Sequence, residues 1–202
     1  MSVQDIQLLL GVAGGVLGII DYLLYARSIL RGRTRPNAAT WVGTGAVWFV
    51  ALVSYFLAGA RDTLWFVLAS TAGSFLVAVL SLRYGVKWQR ADFICLAGAV
   101  AAGALGLLTD SPLNALYVAM AVDFLAIFPT MAKTWKHPDW EEAFPWVVTV
   151  AASLLTVMAV ALPWKVEIAA YPLYLLAVNG AVLALIYRPK VKVSLASLFR
   201  LP

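Results

Sequence analysis

Two aspartates stand inside long apolar segments of the chain, Asp21 in "GVLGIIDYLLYA" and Asp123 in "YVAMAVDFLAIF". A charged residue at the centre of a bilayer costs about 2.5 to 3.5 kcal/mol on insertion scales, so an acid in such a place is expected to have a function. In one interpretation Asp21 and Asp123 bind a solute or couple its movement to protons. In the other they are structural, and each pairs with a cation or hydroxyl near the end of its helix.

Polar residues at further apolar positions could hold a solute. Asn179 offers two donors and an acceptor, which suits the hydroxyl groups of a sugar or polyol. Ser74 occupies the corresponding position in the first half of the chain, and Thr71 lies on the preceding turn. These residues are therefore candidates for substrate binding, although a hydrogen bond between helices is an equally good explanation for Asn179.

Tryptophans are a second group with two interpretations. Trp48 lies deep in an apolar segment, seven residues after Trp41, and could stack on a sugar ring. Tryptophans in membrane proteins commonly anchor helices at the lipid–water interface, however. We therefore assign the anchoring role to Trp41 and Trp146, which stand at predicted helix starts, and the binding role to Trp48.

Composition predicts a membrane protein and excludes several classes of function. Of the 202 residues, 63% are hydrophobic and 12% are charged, far outside the range of soluble domains. The sequence contains one cysteine, Cys95, and one histidine, His137. Neither a disulfide, a histidine-based metal cluster nor a serine triad can be assembled from them. We therefore expect no metal, no cofactor and no enzymatic activity.

Apolar runs predict an all-α protein with seven transmembrane helices, because about 20 apolar residues are needed to cross a bilayer. Short connections that contain prolines, glycines or charges separate the runs. The predicted spans are residues 6–26, 39–59, 64–82, 93–109, 114–132, 145–162 and 168–187.

The distribution of cationic residues predicts the orientation. Of the 15 lysines and arginines, 13 follow the first, third, fifth and seventh spans. By the positive-inside rule the N-terminus lies outside and the C-terminus in the cytoplasm, and the plasma (inner) membrane is the expected location. The net charge of +5 is explained by this asymmetry, so we expect the lipid bilayer and no nucleic acid as a partner.

Polar and proline positions repeat along the chain. An offset of 102 residues pairs Asp21 with Asp123, and an offset of 105 pairs Ser74 with Asn179. We interpret this as two parallel three-helix repeats related by an axis along the membrane normal, in a 3+1+3 arrangement. The predicted units are residues 1–84, a linker helix in 85–112, residues 113–190 and a cytoplasmic tail, 191–202. Chance recurrence of short apolar motifs is the alternative.

The stretch "FPTMAKTWKHPDWEEAFPWVVTV" resembles the second-repeat signature of the SWEET sugar transporters and the wider PQ-loop superfamily. "YPLYLLAVNGAVLALIY" resembles their seventh helix, with Asn179 and Gly180 at substrate depth. This resemblance implies a SWEET-like fold, a sugar-like solute and alternating access. The residues that carry the signature are Pro129, Thr130, Lys133, Glu141, Glu142, Pro145 and Trp146.

Three residues are candidates for a hinge or a gate. Pro129 removes a backbone hydrogen bond within a predicted helix and so permits a kink. Pro145 opens the following helix, as in the signature. Arg27 stands in the first repeat where the signature has a proline, which gives the hypothesis that its side chain plugs the cytoplasmic gate.

The sequence thus predicts a transporter that moves a small polar solute between two repeats and is either proton-coupled or a facilitator. A receptor or sensor that binds a ligand on the same scaffold without net transport is the alternative. Small residues four apart in the first and fourth spans permit close helix packing, either within one bundle or between the protomers of a homo-oligomer.

Overall fold

A computed structural model describes residues 2–57, 61–106, 112–160 and 166–198. The described chain is helical, with seven α-helices and one short 3₁₀ helix and without β-strands. The ends of the second, fourth and sixth predicted spans lie outside the described residues. The helices are α1 Val3–Leu30, α2 Ala38–Leu57, α3 Arg61–Tyr84, α4 Arg90–Gly106, α5 Pro112–Lys136, the 3₁₀ helix Pro138–Trp140, α6 Ala143–Val160 and α7 Val166–Leu198.

Local signals explain several helix ends. Ser2 caps α1: its hydroxyl accepts a hydrogen bond from the Asp5 amide, and the Asp5 carboxylate accepts one from the Ser2 amide, which is a capping box. Gly32 ends α1 with a φ of +69°, a left-handed conformation that glycine adopts without strain. Asn37 caps α2 by accepting from the amide of Ala39 at 2.9 Å. The polar residues and glycine at these positions therefore explain where α1 begins and ends and where α2 begins.

Helix α7 is longer than its apolar run. It continues past Tyr187 to Leu198 and contains Pro172 and Pro189. Hydropathy identifies only the apolar part of a helix, and residues 190–198 are too polar to be counted in a span while still being compatible with helix. The predicted cytoplasmic tail therefore begins, at least as far as Leu198, as a continuation of α7.

The outer surface of the bundle is apolar. Leu8, Val79, Ile94 and Val100 expose 65 to 72% of their surface, and a soluble protein rarely exposes large contiguous apolar patches. Among the described residues, three helices contain a segment long and apolar enough to cross a membrane: Asp5–Leu30, Tyr117–Lys136 and Ala169–Pro189. The chain is therefore helical and suited to association with a membrane.

The helices pack in two groups of three. In the first helix group, α3 packs against both α1 and α2, and in the second, α7 packs against both α5 and α6. The groups meet through contacts of α1 with α6 and of α2 with α5, while α4 packs on α5 and α2. Exchanging the two groups therefore reproduces the same set of contacts.

The core of the bundle lies towards the end where α1 and α5 terminate. Val77 and Val182, which are 105 residues apart, are both 0% exposed within it. Ser28 and Thr130, 102 residues apart, are also fully buried. These two pairs of positions, which correspond under the offsets found in the sequence, are thus buried alike in the two helix groups.

Candidate functional site

A cavity of about 180 Å³ lies between the two helix groups. Among the residues that the structure describes, its lining comes from every α-helix except α4 and includes Asp21, Trp48, Asp123 and Asn179. These four are sequence-predicted site residues that the fold brings together from α1, α2, α5 and α7. The cavity is smaller than the roughly 300 to 1,000 Å³ of pockets for drug-sized ligands, which favours a small solute.

Each of the two aspartates accepts a hydrogen bond from a hydroxyl group on another helix. The Thr149 hydroxyl of α6 donates to Asp21 Oδ2 at 2.7 Å, and the Tyr174 hydroxyl of α7 donates to Asp123 Oδ2 at 2.9 Å. Hydrogen bonds from hydroxyl groups are what the structural interpretation of the aspartates expects, and a position at the cavity is what the functional interpretation expects. The two interpretations are therefore compatible, because the carboxylates that join helices also face the cavity.

The amide of Asn179 also joins two helices at the cavity wall. Its Nδ2 donates to the Ser153 hydroxyl of α6 at 3.2 Å. The Ser153 hydroxyl in turn donates to the Thr149 backbone carbonyl at 2.9 Å, so Asn179, Ser153 and Thr149 form one polar strip along the cavity. A ligand in the cavity would meet hydroxyl, amide and carboxylate groups on the same wall.

Ser74 and Thr71 lie behind the cavity wall. Ser74 is 0% exposed and donates to the Tyr22 hydroxyl at 3.0 Å, so Tyr22 stands between it and the cavity. The Thr71 hydroxyl donates to the Trp48 backbone carbonyl at 3.0 Å. On α3 it is Ser70 that lines the cavity. Ser74 and Thr71 therefore bind the cavity residues Tyr22 and Trp48 from behind. Neither is itself a residue of the described cavity wall, and Ser70 occupies that place on α3.

Aromatic residues missed as site candidates form the deep end of the cavity. Trp146 is only 4% exposed, and both Trp41 and Trp146 line the cavity. Their assignment as lipid-interface anchors is therefore wrong, because Tyr25 holds them in the core with ring centroids 4.8 and 6.0 Å away. The correspondence of Trp41 and Trp146 under the repeat offset was the signal that could have placed them together.

A buried ion pair closes this deep end. Lys133 Nζ bonds Glu141 Oε1, and their side chains are 5% and 0% exposed. The same carboxylate accepts from the Tyr25 hydroxyl at 3.0 Å and from Trp146 Nε1 at 3.1 Å. Lys133 also donates to the Arg35 carbonyl at 2.6 Å. This set of five residues, the Glu141 network, joins α1, α5 and α6 to the α1–α2 connection.

The two connections that flank the Glu141 network are bound directly to each other. The Arg35 amide donates to the Trp140 carbonyl at 2.8 Å, and the Glu142 amide donates to the Thr34 hydroxyl at 3.1 Å. Arg33 pairs with Glu142 at 2.9 Å. The Ser28 hydroxyl and then the Arg33 guanidinium hold the pKa of Glu142 below its usual value. Residues 31–37 and 137–142 therefore form a continuous closure over this end of the bundle.

The three predicted hinge or gate residues occupy different places. Pro129 is buried inside α5 and lines a second cavity, of about 100 Å³, next to Lys133. Pro145 is the third residue of α6, in the first turn, where the backbone amides have no partner within the helix and a proline costs little. Arg27 is exposed, since Tyr25 and Ile29 occupy the inward face of α1. Its side chain is thus not part of the closure, which the Glu141 network makes instead.

Comparison of the chain with protein-family models, with curated proteins and with solved structures found no match.

Proposed function

We propose that this protein is a seven-helix membrane transporter that moves a small polar solute by alternating access between two three-helix repeats. The observation that carries the proposal is the cavity between the two helix groups, which is lined by polar groups from both and closed at one end by a network that crosses between them. The proposal contains no catalytic step.

The packing of the helices supports a repeat-based mechanism. Because α1 with α6 and α2 with α5 make corresponding contacts, the two groups can move against each other around a fixed central site, as in transporters built from repeats. Helix α4 contributes nothing to the described cavity lining and serves as the linker. Pro129, inside α5 beside the closed end, is the proposed hinge.

The Glu141 network is the proposed gate. Opening it breaks the hydrogen bonds of Glu141 to Tyr25 and of Lys133 to the Arg35 carbonyl, which join the two helix groups, and exposes the cavity to the side of the membrane where α1 and α5 end. The positive-inside rule assigns that side to the cytoplasm, with the N-terminus outside, and the plasma (inner) membrane is the proposed location. The cavity would then exchange solute with the outside when the gate is closed.

Uptake into proteoliposomes tests this function. The purified protein is reconstituted and supplied with labelled small polar solutes, first at equal internal and external pH and then with an inward proton gradient. We expect saturable uptake that Asn179→Ala abolishes, because the amide lies on the cavity wall. Ser81→Ala is the matched control, since its hydroxyl is buried and bonded to Val77 within α3, outside the cavity.

The proton gradient separates two modes of transport. Stimulation that disappears in Asp123→Asn would make the protein proton-coupled, and uptake that is indifferent to the gradient would make it a facilitator. Absence of flux for every solute, with ligand still raising the unfolding temperature, would contradict transport and favour the receptor alternative.

A further inference from the structure

The cavity between the helix groups carries acidic groups without basic ones. Its described lining includes Asp21 and Asp123 but contains no lysine, arginine or histidine. In a low-dielectric site, carboxylates without a partner of opposite charge are costly. The charges of the lining therefore favour a positively charged occupant over a neutral or negative one.

The nearest buried cation in the described network does not offset these acids. Lys133 lies beyond Tyr25 at the closed end, where its ammonium bonds Glu141 and the carbonyl of Arg35. Lys133 and Glu141 therefore neutralise each other. The two cavity aspartates receive only hydroxyl hydrogen bonds among the described side-chain contacts, from Thr149 and Tyr174, and hydroxyl groups bring no charge.

Aromatic rings cover much of the remaining wall. Tyr22 and Tyr25 pack on Trp41 with centroid distances of 6.1 and 4.8 Å, and Tyr25 packs edge-on against Trp146 at 6.0 Å. Faces of tryptophan and tyrosine attract cations within about 6 Å of the ring centroid, and aromatic cages recognise quaternary ammonium groups. The lining contains six such rings, of Tyr22, Tyr25, Trp41, Trp48, Trp146 and Tyr171.

We propose that the solute is a small organic cation, an amine or quaternary ammonium compound, held between Asp21, Asp123 and the aromatic wall. This inference rests on the proposed function for the movement of the solute, but not for its binding. It replaces the sugar implied by the sequence resemblance. Aromatic faces suit both classes of ligand, but two carboxylates without a counter-charge favour the cation.

Binding to the purified, detergent-solubilised chain tests the chemical class without requiring transport. The probes are choline and agmatine as cations, sorbitol as a neutral polyol and acetate as an anion, and the readouts are titration calorimetry and the unfolding temperature. We expect saturable binding of at least one cation and none of sorbitol or acetate. Asp21→Asn and Asp123→Asn should each weaken cation binding by about tenfold or more, the order expected for loss of one charged contact.

Two further variants keep the test interpretable. Asp139→Asn, at an exposed position of the 3₁₀ helix, is the matched control and should leave cation affinity unchanged. Trp48→Leu should weaken choline binding by about two- to tenfold, the range expected for one cation–π contact. Because Trp48 is neutral, this variant tests the aromatic wall even where an aspartate variant fails to fold.

The outcomes separate this inference from the proposed function. Cation binding without flux in proteoliposomes would support the cation site and overturn transport. Binding and flux of sorbitol, with none for either cation, would overturn the cation inference and leave transport standing. Cation affinity that is equal in wild type, Asp21→Asn and Asp123→Asn would also overturn it, and so would the absence of binding by both cations.

Discussion

Neutralising Glu141 should open the closed end of the bundle. Its carboxylate is 0% exposed and accepts hydrogen bonds from Lys133, Tyr25 and Trp146. In Glu141→Gln the shape of the side chain is kept, and the amide oxygen still accepts from a neutral donor. The ammonium of Lys133, 5% exposed at its side chain, then remains buried with no countercharge among its described contacts.

The size of the effect follows from this burial. Breaking a buried ion pair by removing one partner costs about 3 to 5 kcal/mol, and 1.4 kcal/mol corresponds to a factor of ten in population. Lys133 and Glu141 belong to the same helix group, but they are buried by partners from the other one, Tyr25 and the Arg35 carbonyl. Separating the connections would let water reach Lys133, so the cost of its missing countercharge falls on the closed form. The ratio of closed to open forms should therefore decrease by roughly two to three and a half orders of magnitude, enough to invert a preference of a few kcal/mol.

Electron spin resonance distances between the two connections measure this ratio. The only cysteine of the sequence, Cys95, is replaced by alanine, and spin labels are placed at the exposed positions Arg31 and Asp139. We expect one narrow distance distribution in the labelled parent and an added, longer component in Glu141→Gln. Lys133→Met combined with Glu141→Leu removes both charges and should restore most of the narrow distribution.

A surface ion pair in the same place is the control. Arg33 and Glu142 join the same two connections, but their side chains are 60% and 26% exposed, and exposed pairs contribute only about 0 to 1 kcal/mol. Arg33→Ala should therefore change the distance distribution little. An unchanged distribution in folded Glu141→Gln, or an equal change in Arg33→Ala, would refute the assignment of the gate to the buried pair.

Three further predictions concern stability, each read from the unfolding temperature in detergent. Trp146→Phe should lower the free energy of unfolding by about 1.5 to 3 kcal/mol more than Trp41→Phe does. Trp146 Nε1 donates to a buried carboxylate, whereas Trp41 Nε1 is buried without an acceptor among the described residues. Equal losses of stability in the two variants would contradict this. Gly73→Ala should cost about 1 to 3 kcal/mol, since its Cβ would lie 2.6 Å from Tyr22 Cγ, and an unaltered unfolding temperature would show that the ring yields freely. Glu142→Gln should be slightly less stable than wild type at pH values above 4.5, the ordinary pKa of glutamate. Since the pKa of Glu142 is lowered in the folded state, the difference in stability should vanish as the pH falls through this lowered pKa. A difference that persists in acid would exclude the carboxylate as its source.

The helices and part of the site are predictable because they depend on local patterns. Apolar runs interrupted by residues such as Pro36 and Gly85 predict each of the α-helices described. Asp21, Asp123 and Asn179 stand out because a polar group in an apolar run is expensive, and the cavity lining contains all of them.

The remaining features depend on contacts between distant parts of the chain. Ser74 and Ser70 are one turn apart on α3, but Ser74 donates to Tyr22 and Ser70 lines the cavity, a difference that depends on packing against another helix. A tryptophan at a helix start looks the same whether it faces lipid or core, so the burial of Trp146 by Tyr25 was not predictable from position. The hydrogen bond between Tyr25 and Glu141 joins residues 116 positions apart, so no local sequence pattern indicates it.

Exchange of solute across a sealed membrane tests the central claim most directly. Vesicles that contain the reconstituted protein are loaded with unlabelled choline and diluted into labelled choline, with sorbitol in a parallel series. Alternating access through one central cavity predicts that the unlabelled solute inside accelerates entry of the labelled one, and that Asn179→Ala abolishes the acceleration while Ser81→Ala preserves it. Entry that is no faster than in protein-free vesicles for either solute, or that is unaffected by the internal solute, would contradict the account.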